Sequence, residues 1–165
     1  MSNKTYQTET KILKGKNVLE QLCDECLSLG DKVLIVFSEN MIKQSGLYAR
    51  VVSLLNICGI EHITYECEGK SYSDTEINNA VELGKKENVQ LVLAIGDEEL
   101  MCFSKIVAHK FHNDAKAEKP ESAHLPIINI TSLLNLGNHN NQNIQDIALN
   151  YHHVKPATSF VDFDY

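Results

Sequence analysis

The chain has 165 residues, of which 43% are hydrophobic, so it can bury one core and is treated as a single domain over residues 1–165. Its 22 acidic against 15 basic residues give a formal net charge of −7, which argues against nucleic acid or an anionic membrane as a partner and favours a small molecule or a protein. An apolar run of about 18 residues and a basic-then-apolar leader are both absent, which predicts a cytoplasmic protein without a membrane span.

The predicted elements alternate between strands and helices along the chain. They are, in order, a strand at 10–15, a helix over about 17–29, a strand at Val33–Phe37, a helix that ends at Gly59, a strand at Ile60–Cys67, a helix from Ser73 to about Glu87, a strand at Val89–Ile95, a helix from Asp97 to Phe111, a strand at Pro126–Ile130 and a last strand at Thr158–Phe163. This alternation predicts an α/β fold: a Rossmann-like parallel sheet with helices on both faces, in three layers, with right-handed crossovers.

Short motifs mark the start of two helices and the position of one strand. Ser38 and Asn40 are candidate N-caps of the second helix. Ser73–Glu76 has the Ser-x-x-Glu pattern of a capping box, which fixes the start of the third. The strand at Ile60–Cys67 alternates polar and apolar residues and is therefore expected near an edge of the sheet.

Two stretches are predicted to lie at the surface because they offer little to bury. Residues 112–124 have almost no apolar content, and the amide-rich second half of 131–143 cannot bury itself. Residues Asp146–Tyr151 are expected to add a short strand or a helical turn.

The stretch around which the rest is arranged is the strand, glycine and helix at 89–108. The helix opens with Asp97, Glu98 and Glu99, which complement its dipole and offer oxygens to its unpaired amides. Ligands of α/β proteins usually sit at such a turn, outside the carboxyl ends of the strands. We call Gly96–Glu99 the acidic turn.

The charge of the acidic turn disfavours an anionic ligand. A pyrophosphate about 4 Å from one carboxylate meets a repulsion of roughly 1 kcal/mol in water and about 4 kcal/mol near a protein surface. The helix dipole offsets only about 0.3–1 kcal/mol, so the turn keeps the geometry of an anion site without its chemistry.

The cysteines are expected to be structural. There are five, an odd number in a chain with no export signal, so free thiols are the default. Cys23 and Cys26 have the spacing of a redox pair but fall inside an amphipathic helix, where burial is the ordinary role. A zinc site would need a second pair at matching spacing, which the sequence lacks.

Other candidate metal ligands have ordinary explanations. His109 and His112 lie on one helical face but lack an accompanying acidic motif, and are expected to be surface residues. His152 and His153 are adjacent, so they diverge and are expected in a loop. The three acids of the turn point about 100° apart and cannot all face one ion, which favours helix capping over metal binding.

The order of these motifs resembles that of the N-terminal domain of the iron-containing alcohol dehydrogenase family, which is related to glycerol dehydrogenases and dehydroquinate synthases. The resemblance covers about residues 10–165. Its segments are Thr10–Leu22 around Lys14-Gly15-Lys16, Lys32–Gly46, residues 89–108 against a family Gly-Gly-Gly-Ser-x-x-Asp-x-x-Lys motif, Pro126–Gly137 against a threonine/glycine loop, and Ser159–Asp162.

The resemblance implies an NAD(P) site with most of its functional residues replaced. The triple glycine and serine fall on the acidic turn, so only the first glycine is retained. The acid that would contact the cofactor ribose falls on Ser38, and the helix aspartate on Cys102. The helix lysine is retained as Lys105, and only Gly137 matches the threonine/glycine loop. The candidate cofactor-binding residues are Ser38, Gly96, Asp97, Glu98, Glu99, Lys105 and Gly137.

The family's metal ligands belong to a helical C-terminal domain, which is expected to lie outside this sequence. No catalytic or metal-binding residue is therefore assigned, and dehydrogenase activity is not expected from this chain alone. One alternative is a non-catalytic module that binds another ligand or a protein partner through the same cleft. The other is a structural protein that forms a homodimer, because relatives often pair through their N-terminal strands.

Overall fold

The computed structural model describes residues 10–38, 45–67, 72–113, 123–131, 151 and 154–165. The strands are β1 (Lys11–Gly15), β2 (Lys32–Ser38), β3 (Glu61–Cys67), β4 (Leu91–Gly96), β5 (Ile127–Thr131) and β6 (Thr158–Asp162). The helices are α1 (Leu22–Leu27), α2 (Leu47–Ile57), α3 (Asp74–Glu87) and α4 (Glu98–His112), with a 3-10 helix at Val18–Gln21 leading into α1. No helix of this described part is long and apolar enough to cross a membrane.

The six strands form one parallel sheet in the order β1-β6-β5-β4-β2-β3. Every residue of β4 is buried, as its continuous apolar run predicted. The strand β3 lies at an edge of the sheet, which confirms the prediction made from its sequence. Its middle residues, His62–Tyr65, are all half-buried. The alternation of polar and apolar residues therefore indicates the edge position but does not correspond to one buried and one exposed face.

Helices cover both faces of the sheet, as two aromatic contacts show. Phe37 packs against Tyr48 of α2 with ring centroids 4.7 Å apart, and Tyr65 stacks on Phe103 of α4 at 6.3 Å. Tyr65 is in register with Val36, the neighbour of Phe37, so Phe37 and Tyr65 point to opposite faces. The helix α2 therefore lies on one face and α4 on the other. This confirms the three-layer α/β prediction.

The helix α1 shares a face with α2. Its Glu25 accepts a hydrogen bond from Thr158 Oγ1 at 2.7 Å, and Thr158 belongs to the register row of Ile128, Leu93 and Ile35. Ile35 is two residues from Phe37 and so points to the face that α2 covers.

The single helix predicted over about 17–29 is divided in two. Asn17 has a positive φ of 60°, and the 3-10 helix that follows places the Leu19 amide 3.1 Å from Asp162 Oδ2. This tertiary hydrogen bond holds the first turn in the tighter geometry. Leu27, the last residue of α1, is 51% exposed.

Among the described residues, the helix predicted to follow Ser38 and Asn40 begins at Leu47. Ser38 is the last residue of β2, and α2 begins after Gly46, which occupies the N-cap position with φ +83°. Asn40, the other candidate, lies outside the described residues. The helix start predicted at Ser73 is confirmed, since its hydroxyl accepts a hydrogen bond from the Glu76 amide at 3.2 Å.

Two side-chain predictions are wrong. Cys23 and Cys58 form a disulfide between α1 and the end of α2, whereas free thiols were expected. Their spacing of 35 residues gave no signal, because only the fold brings the two helices together. His109 is buried and lies edge-on to Tyr151 at 5.2 Å, whereas a surface histidine was expected.

Several sequence predictions fall wholly or largely outside the described residues. Of the loop predicted over 112–124, residues 114–122 lie outside, as do the amide-rich loop and His152 and His153. Of the segment Asp146–Tyr151, the structure describes Tyr151 alone, which is buried in a helical turn.

Candidate functional site

Three neighbouring strands end together at one edge of the sheet. The register places Gly96, the end of β4, opposite Thr131, the end of β5. On the other side of β4, Phe37 lies opposite Ile95, so β2 ends at Ser38 beside the same turn. The fold therefore brings Ser38 and the acidic turn to the carboxyl edge of the sheet, where α/β proteins bind ligands.

Gly96 allows the chain to turn sharply from β4 into α4. Its φ is +156°, in the region that L residues rarely adopt. A Cβ built on Gly96 would lie 2.8 Å from Leu100 Cδ2, so a side chain here would also displace the buried Leu100 side chain. Both observations explain a glycine here without reference to a ligand.

Asp97 is the N-cap of α4. Its backbone is extended, and its Oδ1 accepts a hydrogen bond from the Leu100 amide at 3.0 Å. The Asp97 carbonyl oxygen also accepts from the Met101 amide at 3.1 Å. The Asp97 carboxylate therefore occupies a position at the helix N-terminus where an anionic ligand would otherwise accept a hydrogen bond.

The two glutamates of the acidic turn differ in their surroundings. Glu98 is exposed to solvent, whereas Glu99 is only 6% exposed. Both lie in the first turn of α4, where a carboxylate is stabilised by the positive end of the helix dipole. The sequence did not predict the burial of Glu99, because three consecutive acids give no indication of which one faces inward.

The acids of the turn act electrostatically on a neighbouring thiol. Burial raises the pKa of Cys102, Lys105 opposes this rise, and the carboxylates of Glu98, Glu99 and Asp97 add to it. Burial and the acids therefore both disfavour a negative charge on the Cys102 sulfur. The same acids would disfavour an anionic ligand bound nearby.

Lys105 is half-buried on α4, eight residues beyond Asp97. At 1.5 Å per residue this places its backbone about 12 Å along the helix from the turn. Lys105 therefore lies on α4, which begins at the acidic turn, but not within the turn itself. Gly137, the remaining candidate, lies outside the described residues.

One polar side chain near this edge was not singled out from the sequence. Asn129 lies in β5 between Ala94 of β4 and Ser159 of β6, on the face that α4 covers. Within the described part of the chain, its Oδ1 is buried and has no hydrogen-bond partner. The available signal was an amide in the apolar run Ile127–Ile130, two residues before the strand ends.

No cluster of three or more His, Cys, Asp or Glu side chains that could hold a metal ion occurs among the residues that the structure describes. The prediction of helix capping is confirmed for Asp97 by its hydrogen bond to the Leu100 amide.

The fold and the turn define a Rossmann-like α/β domain with a strand-glycine-helix turn at the carboxyl edge of its sheet. The model of the iron-containing alcohol dehydrogenase family matches residues 9–144, and the chain belongs to this family. The family resemblance proposed from the motifs is thereby confirmed.

Two curated relatives are similar over most of this chain. It is 31% identical over 150 residues to the probable NADH-dependent butanol dehydrogenase 1 of Bacillus subtilis, with 86% of this chain and 38% of that protein covered. It is 30% identical over 136 residues to the NADH-dependent butanol dehydrogenase A of Clostridium acetobutylicum, with 79% and 34% covered. The chain thus spans little more than a third of the length of these relatives.

Solved structures show the same fold at lower identity. The NADH-dependent butanol dehydrogenase A of Thermotoga maritima superposes with a TM-score of 0.74 at 22% identity, covering 98% of this chain and 44% of that one. An archaeal halo-thermophilic alcohol dehydrogenase from a Red Sea brine pool gives a TM-score of 0.74 at 20% identity, covering 99% and 47%.

Proposed function

We propose that this chain is the nucleotide-binding-type domain of an alcohol dehydrogenase-like oxidoreductase, and that its acidic turn does not accept a dinucleotide unaided. The family membership and the position of the turn support the first part. The names of the curated relatives include NADH, and NAD(P) is the cofactor extended to this chain by that resemblance.

The observation that carries the second part is the hydrogen bond from the Leu100 amide to Asp97 Oδ1. A diphosphate at a helix N-terminus needs free backbone amides and close approach of the backbone. Here a carboxylate of the chain accepts from one of those amides and adds its own negative charge. A dinucleotide diphosphate does not fit the turn as it stands.

The magnitudes agree with this conclusion. One carboxylate about 4 Å from a phosphate raises the free energy of binding by roughly 4 kcal/mol near a protein surface. The helix dipole offsets only about 0.3–1 kcal/mol of this repulsion. Every factor of ten in affinity is about 1.4 kcal/mol, so the cost of one carboxylate alone weakens binding more than a hundredfold.

The proposal extends to activity. Hydride transfer requires a nicotinamide held beside the alcohol that it oxidises. This chain covers only 38% of the length of the probable NADH-dependent butanol dehydrogenase 1 of Bacillus subtilis. We therefore expect no alcohol oxidation by the purified chain alone. Its own residues would position a cofactor only after the acids of the turn are removed.

The test is calorimetric titration with NADH and NADPH of the wild type and of Asp97→Gly/Glu98→Gly, which restores two family glycines. We expect no binding by the wild type up to about millimolar ligand, and a gain of at least about tenfold in the variant.

The matched control is Glu20→Gln/Glu82→Gln, which removes two exposed acids elsewhere and should leave binding unchanged. Micromolar binding by the wild type would contradict the proposal. No gain in a folded glycine variant would instead favour a non-catalytic module that binds another ligand or a protein.

A further inference from the structure

The disulfide between Cys23 and Cys58 joins two parts of the helical layer that covers one face of the sheet. Cys23 lies in α1 and Cys58 caps the end of α2, with their Cα atoms 6.2 Å apart. On its other side, α1 is fixed to the edge of the sheet, because Glu25 binds both Lys11 of β1 and Thr158 of β6. The disulfide thus links α1, which is bound to β1 and β6, to α2, which follows β2 in the chain.

Cys23 and Cys58 are both half-buried residues. The Leu54 carbonyl oxygen lies 3.3 Å from Cys23 Sγ and 2.9 Å from Cys58 Sγ. After reduction, the S–H of either cysteine can donate a hydrogen bond to this oxygen. The reduced pair therefore has a hydrogen-bond acceptor within the site.

The other cysteines are kept out of the exchange. Cys26, one turn along α1, is fully buried, and burial raises its pKa to about 12. Burial also raises the pKa of Cys67, which is 2% exposed. Cys102 lies on α4, on the opposite face of the sheet, and burial raises its pKa as well. Because the thiolate is the attacking species, these thiols react slowly in exchange.

We propose that Cys23 and Cys58 form a reversible thiol-disulfide site that exchanges with small-molecule disulfides and thiols and switches the cross-link between α1 and α2. A thiolate of the pair attacks glutathione disulfide, forms a mixed disulfide and releases one glutathione thiol. The second cysteine then displaces the other glutathione. Two electrons pass from the pair to one glutathione disulfide, which yields two glutathione thiols.

The first test counts thiols. The protein is equilibrated with glutathione disulfide or with dithiothreitol, quenched with acid, unfolded and alkylated with a maleimide, and its mass is measured. We expect three alkylated cysteines after oxidation, with a peptide cross-linked between positions 23 and 58, and five after reduction. Five alkylated cysteines under both conditions, or a cross-link through Cys26, would overturn the proposal.

The second test measures the midpoint of thermal unfolding in both redox forms. A cross-link that closes a loop of this size should raise the midpoint by roughly 4–16 °C, because it restricts the unfolded chain. Cys58→Ser should abolish this difference and trap Cys23 as a mixed disulfide with glutathione, while Cys26→Ser should keep the difference. If Cys58→Ser does not fold, the wild type and Cys26→Ser decide. Equal midpoints in the two redox forms of both proteins would contradict a cross-link that switches.

Discussion

Gly96 and Asp97 are adjacent, and they divide the properties of the turn between them. Gly96 determines its shape, through a positive φ and close contact with Leu100. Asp97 contributes negative charge, beside that of Glu98 and Glu99, through a carboxylate hydrogen-bonded to the helix N-terminus. Substitutions at these two positions therefore test shape and charge separately.

Gly96→Ala should destabilise the fold by about 2–3 kcal/mol, because alanine is strained at this φ and its Cβ would meet Leu100. Gly46→Ala is the matched control, since Gly46 has φ +83° but nothing within 4 Å of an added Cβ. It should cost only about 1 kcal/mol. Urea unfolding measures both free energies, and equal costs would contradict the contribution of the close approach to Leu100.

Asp97→Ala should lower the free energy of unfolding by about 0.5–2 kcal/mol, the usual cost of losing an N-cap. Asp97→Asn should cost much less, because its amide oxygen can accept the same hydrogen bond from Leu100. Chemical denaturation of the two variants measures this difference. If Asn destabilises as much as Ala, the carboxylate acts through its charge and not as a cap.

Among the secondary-structure elements, α1 depends most on tertiary contacts. It has only six residues, too few for a stable isolated helix. Glu25 connects it to β1 through an ion pair with Lys11 at 2.6 Å and to β6 through Thr158. The hydrogen bond from Lys11 holds the pKa of Glu25 below its ordinary value of 4.5, although burial opposes this shift.

This shift predicts how stability depends on pH. A folded pKa below the unfolded one means that the carboxylate stabilises the fold above about pH 4.5, and that this contribution is lost as the pH falls through the folded pKa. Glu25→Gln should therefore lower stability at neutral pH by about 1–2 kcal/mol and lose less stability on acidification.

Thermal unfolding between about pH 3 and pH 7 measures this dependence. Glu82→Gln, which alters an exposed carboxylate of α3, is the control and should follow the wild type. An unchanged acid slope for Glu25→Gln would contradict the role assigned to the ion pair.

The elements that the sequence predicted well are those with strong local signals. The buried strands β2 and β4 are continuous apolar runs, and Ser73 begins the Ser-x-x-Glu pattern and caps α3. The helix around α1 was predicted too long, because the Leu19 amide hydrogen-bonds to Asp162, which is 143 residues away. Contacts of this kind leave no periodic pattern in the sequence.

The same limit applies to the candidate site. The acidic turn could be located from a glycine between a buried strand and a helix, and Asp97 has the predicted capping role. The burial of Glu99 and of His109 depends on how α4 is rotated against the sheet. The pairing of Cys23 with Cys58 depends on how α1 packs on α2. Neither could be read from residue spacing.

In the described part of the molecule, the carboxyl edge of the sheet, which carries the candidate site, is separate from the two lateral edges. The acidic turn lies at the carboxyl edge, between central strands, whereas β1 forms a lateral edge on which Ile12 is 66% exposed. The expected homodimer through the N-terminal strand stays a prediction.

The central claim is that the domain retains the fold of a dinucleotide site while its own acids exclude the diphosphate. The most direct measurement is an amide nitrogen-proton NMR titration of the wild-type chain with NADH, which follows the amides of residues 97–100. We expect these signals to stay unperturbed up to about millimolar NADH, while in Asp97→Gly/Glu98→Gly they shift on binding. Saturable shifts of these four amides in the wild type at micromolar NADH would contradict the claim.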